Sequence, residues 1–351
     1  MRKMPRKSLV IDVSNILFRV SAAQMNNPYA RDADTQDLVG LCFHISLFSI
    51  LKYYNKFKPD YIVFAFEGEN NWRKTYTTKN KSRIGYKSGR VVDPKMIHFY
   101  KLMIAFKEVI TNHTSICCLS VKKMEADDSI AAYCQLYASN EHNITIISGD
   151  KDFTQLLKLP NVKLINPDNG KERNTPNDKE YEPDIDYWMF KKCVRGDAGD
   201  SVPSAYPRVR EVKIKKAYED QYSKLNFMNE EWNRIILEKD ENGVMVEVSI
   251  THKVGDLFEE NCILMDLSKQ PKELRIELED NIKKQVNETG TYSHFHFLRF
   301  LGEYNLQKVS EESMKFVELF ANNQRFLKNE KQQKTPDIIK DENKSSNLLT
   351  F

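Results

Sequence analysis

Short apolar runs alternate with longer stretches of helical spacing along the first half of the chain. Residues 8–13 (SLVIDV), 61–66 (YIVFAF), 114–119 (TSICCL) and 143–148 (NITIIS) are brief, β-branched and apolar, the composition of strands buried on both faces. Residues 162–165 (VKLI) suggest a further short strand. Between these runs, residues 38–54 and 95–110 repeat apolar positions at helical spacing, as does the segment that opens at Asp127-Asp128 and continues through Ile130, Ala131, Cys134 and Leu136-Tyr137. Ser14 and Asn15 begin a turn into a helix after the first run. Strands alternating with helices predict an α/β domain with a mostly parallel central sheet flanked by helices.

Beyond a polar, Pro- and Asn-rich connection over residues 166–183, a helix is expected around 185–194, ending in the acidic turn Arg195-Gly196-Asp197-Ala198-Gly199-Asp200. Residues 213–329 read as largely helical, interrupted at 243–250, whose alternation predicts a small hairpin or edge strand. From Lys331 the chain is polar and charged, as a flexible tether is, and it closes on Leu348-Leu349-Thr350-Phe351.

With 351 residues and 40% hydrophobic composition, the chain has enough apolar surface for a substantial core in one large or two smaller domains. A formal net charge of +3 says little about partners until its distribution is considered. Six cysteines are scattered without metal-ligand spacing, the pattern of reduced core residues in a cytoplasmic protein. No apolar run approaches membrane-spanning length, and no membrane partner is expected.

The carboxylates follow the strands. Glu125, Asp127 and Asp128 open one predicted helix, and Asp150 and Asp152 lie where the 143–148 strand ends. Asp12 stands near the carboxyl end of the first strand, and Glu67 directly follows the second. Ligands gather at the carboxyl ends of strands in open α/β sheets. Carboxylates crowded there repel one another unless a cation neutralises them, and oxygen donors without His or Cys point to Mg²⁺ or Mn²⁺. Residues 72–90 have the opposite character: no acid, and Trp72, Arg73, Lys74, Tyr76, Lys79, Lys81, Arg83, Tyr86, Lys87 and Arg90 interleave rings with bases. Beside an acidic metal site this suits a nucleic-acid strand, with bases neutralising phosphates and rings available for stacking. A second basic set, Arg208, Arg210, Lys213, Lys215 and Lys216, follows the acidic turn.

Asp12 in VIDVSN, the EADD of 125–128, the SGDKDF of 148–153 and the RGDAGD of 195–200 together resemble the motif series of the flap endonuclease and 5′-nuclease family, most closely its T-even bacteriophage ribonuclease H branch. The similarity spans roughly residues 8–220, with a weaker echo at 262–267. The resemblance implies a PIN-like α/β nuclease domain over 1–184 with a basic arch at 72–90, a helix-three-turn-helix and helical duplex-binding lobe over 185–330, and a tail over 331–351. It implies two Mg²⁺ ions, with Mn²⁺ able to substitute. Asp12, Glu125, Asp127 and Asp150 would surround one, Asp152, Asp197 and Asp200 would hold or organise the other through direct or water-mediated contacts, and the longer Glu67 could still reach a metal. Asp128 is carried over as part of the catalytic set with Lys87 and Arg90. Glu67 departs from the Asp usual in the family. Arg73, Lys74, Lys87 and Arg90 are assigned to phosphates and Tyr86 to base stacking, while Arg208, Arg210, Lys213 and Lys215 are assigned to the duplex. The stretch 204–209 lacks the glycines of the family's hairpin, which shifts that task onto these bases.

The implied reaction is phosphodiester hydrolysis on 5′ flaps, nicked duplex and RNA–DNA hybrid, as in lagging-strand primer removal by a monomer. Leu348, Leu349 and Phe351 would dock on a sliding clamp, with a single-strand-binding protein as a second partner and the cytoplasm, of the host if phage-encoded, as location. Two rival classes share some of these features. A PIN-type single-strand ribonuclease usually lacks the arch and the GDxxD turn, and a non-catalytic clamp adaptor would not require the acid series.

Overall fold

In the computed structural model, which describes residues 6–27, 34–79, 85–90, 93–179, 181–239, 245–288 and 290–324, the strand Arg6–Asp12 (β1) is central. The helices Val13–Met25 (α1) and Thr35–Phe57 (α2) lead to the strand Tyr61–Ala65 (β2), which pairs parallel with β1. Next come the helices Trp72–Lys79 (α3) and Met96–His113 (α4), the strand Cys117–Leu119 (β3) and the helix Ala126–Tyr137 (α5). The strand His142–Ile147 (β4) adds to the other side of β1, and Val162–Ile165 (β5) extends that side. The five strands run in the order β3-β2-β1-β4-β5, all parallel. Growth reverses direction at the β1/β4 boundary, which opens a crevice outside the carboxyl ends of those two strands.

Alternation along β1 feeds two cores. Leu9 and Ile11 join the cluster built by α1, α2 and α4, and Val10 joins the cluster built by α5 and the 3₁₀ turn Lys151–Lys158. The third strand is shorter than the run 114–119 predicts. Thr114 caps α4 through its hydroxyl, 2.7 Å from the Ile110 carbonyl, and Ser115 donates its N–H to the Phe320 carbonyl at 2.8 Å, so these residues are tied to helices instead of the ladder.

The helix Ile185–Arg195 (α6) is followed by tight turns, the helices Glu211–Glu219 (α7) and Gln221–Met228 (α8), and an antiparallel hairpin of Glu231–Lys239 (β6) and Met245–Lys253 (β7). The hairpin expected at 243–250 is present, but its first strand falls in a stretch expected to be helical. There Ile235-Ile236-Leu237 hides the two-residue alternation. The helix Val254–Met265 (α9) is followed by helices that pack on both faces of the sheet. Lys272–Asn287 (α10) puts Leu278 and Ile282 into the core shared with α5, and Phe297, Phe300, Phe316 and Phe320 enter the core of the opposite face. Among the described residues no helix is long and apolar enough to cross a membrane. Leu348, Leu349 and Phe351, with the rest of the tail, lie outside the described residues, as do Lys81 and Arg83.

Candidate active site

The acids at the crevice begin helices. Asp12 caps α1, accepting from the Asn15 N–H at 3.0 Å and, through its other oxygen, from the Ser148 hydroxyl at 2.9 Å. Asp150 caps the 3₁₀ turn, accepting from the Asp152 N–H at 2.8 Å. Glu125 caps α5 in a capping box closed by Asp128, and Glu67 accepts from the Ala126 N–H at 3.2 Å. Four carboxylates are thus drawn to helix starts, where exposed N–H groups and the macrodipole favour negative charge. The turn carrying Glu67 is pinned beside Glu125 because Gly68 passes under the 121–124 loop, where a Cβ would fall 2.0 Å from the Val121 carbonyl oxygen.

Asp127 has no such provision. No donor among the described residues reaches its carboxylate, and burial followed by Asp150, Asp12, Glu125 and Glu67 holds its pKa well above the carboxylate range. Burial, reinforced by Asp150, pushes Asp12 up to about 7 against the bonds from Asn15 and Ser148. Glu67 is exposed along its length, yet enclosure of its carboxylate, then Glu125 and Asp12, push it up to about 7.

These shifts set a sign for stability. The folded, metal-free chain keeps protons on Asp12 and Glu67 that the unfolded chain has released at their ordinary values of 3.8 and 4.5. Stability therefore falls as pH rises from those values to about 7 and stays low above it. A bound divalent cation removes the penalty, so the rise in melting temperature on adding Mn²⁺ should be small at pH 5 and large at pH 8. A rise independent of pH would count against these acids as ligands.

Besides the buried Arg73, three cations stand among these carboxylates in the described residues. Lys87 contacts Glu125 and lies 4.0 Å from Asp200. Its backbone takes a left-handed φ of 57°, held by its N–H on the Asp200 carbonyl at 2.9 Å, so a strained turn aims this lysine at the acids. Arg90 bonds Asp200 at 2.6 Å. Despite burial, Lys87, Tyr86 and Arg90 hold the Asp200 carboxyl below its ordinary range. The third cation, Lys192 on α6, contacts Asp152 and lies 3.6 Å from Asp197. Sequence reasoning missed it, although α6 turns Tyr187, Phe190 and Val194 inward and so leaves Lys192 on a face leading to Asp197. Lys192, Trp188, Arg19 and Asn15 line a cleft of about 400 Å³ with Asp150, Asp152 and Asp197.

Several of the assigned residues are engaged within the protein. Arg73 is 1% exposed, and its guanidinium makes two 2.7 Å bonds to Asp128, one of 3.0 Å to Glu125 and one of 2.7 Å to the Leu264 carbonyl. No phosphate reaches it there. Asp128, fully buried, also accepts from Trp72, Gln270 and the Glu125 N–H, so its carboxylate is engaged in a buried ion-pair network. Tyr86 is buried at 6% with its hydroxyl on Glu125 and Asp200, and cannot stack on a base as it stands. Lys213 is bound to Glu230 at 2.6 Å and to the Tyr206 hydroxyl at 3.1 Å. Lys74, Arg208, Arg210 and Lys215 are exposed, and Arg208 takes a φ of 58° in the glycine-poor turn.

The donor set fits a hard divalent cation, since it is all carboxylate and includes Asp127, whose carboxylate accepts from no donor among the described residues. Among the described residues no group of three or more His, Cys, Asp or Glu side chains is gathered tightly enough to hold an ion as it stands. The reason is visible in the partners. Asp12 and Asp150 bond helix N–H groups, and Glu125, Asp152 and Asp200 bond Lys87, Lys192 and Arg90.

Comparison with known proteins places these features in context. The family described as the 5′-3′ exonuclease, N-terminal resolvase-like domain, matches residues 7–184. Ribonuclease H of Enterobacteria phage T4 is 39% identical over 90 residues, 26% of this chain, so the match spans 28% of that protein's length. Flap endonuclease Xni of Shewanella loihica is 28% identical over 200 residues, 56% of this chain and 69% of that protein. The T5 D15 protein, co-crystallised with metal ions, superposes with a TM-score of 0.53 at 15% identity, over 80% of this chain and 99% of that one, which shows a shared fold.

Proposed function

Because the chain belongs to the 5′-3′ exonuclease family, whose N-terminal domain matches residues 7–184, we propose that it is a structure-specific 5′-to-3′ exonuclease and flap endonuclease. Its substrates are 5′ flaps, nicked duplex DNA and RNA–DNA hybrids, and its setting is removal of RNA primers and flaps in lagging-strand replication. The observation that carries this reading is the convergence of acids from four strand ends on one crevice, with Asp127 facing like charges and no donor. The ribonuclease H and flap endonuclease names of its relatives support it.

Asp12, Glu67, Glu125, Asp127 and Asp150 would hold one Mg²⁺, and Asp152, Asp197 and Asp200 a second, with Mn²⁺ as substitute. When bound, such a pair supplies an activated water and charge on the scissile phosphate. The chain's own contribution is positioning. Lys87 and Arg90 offer fixed positive charge at the edge of the acids to the non-bridging oxygens. Lys74 on α3 and Arg208, Arg210 and Lys215 around α7 neutralise backbone phosphates of the duplex. Enclosure of Asp12 and Glu125, 3% and 5% exposed, keeps bulk water from screening these charges. The products carry 5′-phosphates. The chain acts as a cytoplasmic monomer, assisted by a single-strand-binding protein and by a sliding clamp that takes Leu348, Leu349 and Phe351.

The test is cleavage of a 5′-labelled flap duplex and an RNA–DNA hybrid. Short 5′-phosphorylated products should appear with Mg²⁺ and vanish with a chelator. No cleavage in Mg²⁺ or Mn²⁺ would end the reading. With a clamp loaded on the same template, deletion of 347–351 should remove any stimulation, and persistent stimulation would dismiss the tail as the docking peptide.

A further inference from the structure

Positive charge is shared unequally among the acids. Asp12, Asp127 and Asp150 have no ion pair with a lysine or arginine among the described residues, and Asp127 lacks even a hydrogen-bond donor. The Asp152–Asp197 pair differs. The Lys192 ammonium, only 13% exposed, contacts Asp152 and stands 3.6 Å from Asp197, on the side of both carboxylates that opens to the cleft. It has a second place to rest, because the Trp188 ring lines the same cleft with its centroid 5.7 Å from the ammonium, within the range at which an indole face holds a cation. Lys192 is one residue from Cys193, which is 1% exposed and packed against α9, so the helix that carries it is anchored in the core.

Resting on the reading of these acids as metal ligands, we propose that Lys192 is the resident counter-ion of the Asp152–Asp197 half of the site. A cation entering there must displace the ammonium towards Trp188, whereas one entering beside Asp127 meets a cation only at Glu125, which Lys87 contacts, since Asp12, Asp127 and Asp150 hold no ion pair among the described residues. The two positions consequently fill in order, the Asp127 position first. The displaced ammonium stays in the cleft, where an incoming phosphate provides it with a new partner. Substrate thereby strengthens the second position without touching its ligands. Lys192 is on this account a positioning residue that sets metal affinity.

Titration of the full-length chain with Mn²⁺ in the absence of nucleic acid, followed by calorimetry and by the paramagnetic resonance of free Mn²⁺, tests this directly. The wild-type chain should bind one ion tightly and a second about tenfold or more weakly. Lys192→Met should tighten the weaker class by a similar factor and leave the tighter class alone, and Lys192→Arg should keep the weaker class weak. Lys192→Gln repeats the measurement should the methionine variant fold poorly by circular dichroism. Two equal sites in the wild type, or a second site unchanged or weakened in both neutral variants, overturns the proposal while leaving the nuclease reading intact. No Mn²⁺ binding by the wild type overturns both.

Discussion

Asp127→Asn is expected to slow flap cleavage by roughly a thousandfold or more, since a metal's stabilisation of transition-state charge amounts to several kcal/mol. The same change should raise the melting temperature of the metal-free chain at pH 8. Both effects have one origin. Asp127 sits amid Asp150, Asp12, Glu125 and Glu67 with no donor to offset their repulsion. An amide of the same shape relieves that repulsion and gives up the ligand with the least competing partnership. The gain in stability should shrink towards pH 5, where the neighbouring acids take up protons and the wild-type penalty fades. A variant that keeps a tenth of the wild-type rate, or one less stable at pH 8, would show that Asp127 is held by the fold for some other purpose. The trade of stability for a crowded site is a familiar one in enzymes.

Arg73→Met should cost about 3–5 kcal/mol of folding stability in denaturant titration, the penalty for leaving one member of a buried ion pair uncompensated. Arg73 connects α3 to Asp128 and Glu125 on α5 and to the Leu264 carbonyl on α9. Loss of the guanidinium strands Asp128, which has no exposed surface. The double change Arg73→Met with Asp128→Leu should recover much of the loss, because apolar replacement of a whole buried pair is often close to neutral. Binding to duplex DNA, compared at equal folded fraction, should keep its affinity and its salt dependence. The opposite result, intact stability with weakened and less salt-dependent binding, would return Arg73 to the phosphate-contacting role that its place in a basic segment suggests.

That contrast shows where the sequence is legible. The strands could be read because a parallel sheet covered on both faces demands short apolar runs, and Tyr61–Ala65 and Val162–Ile165 are little else. The acids could be read because they follow those runs directly. Partnership could not. Nothing in the spacing says that Arg73 meets Asp128, 55 residues on, while Lys74 beside it faces solvent. Tyr86 looks like a stacking ring among bases, and only the fold shows its hydroxyl shared between Glu125 and Asp200. Lys192 carries no local sign of its role beyond its helical face. The return of Phe297, Phe300, Phe316 and Phe320 to the first core was equally hidden, because an amphipathic helix states that it has an apolar face and not what that face meets.

The central position of β1 also governs when the chain becomes able to bind an ion at all. Its pairing with β2 joins Ser8 to Tyr61, but its pairing with β4 joins Ile11 to Ile147, 136 residues further along. At translation speeds of about 5–20 residues per second, Asp12 leaves the ribosome roughly 7 to 27 seconds before the strand that completes its surroundings. Until then Asp12 has no Ser148 hydroxyl to accept from, and Asp150 does not yet exist beside it. A nascent chain that stops short of β4 thus carries Asp12, Glu67, Glu125 and Asp127 without Asp150, and the set around β1 is completed only when β4 has emerged.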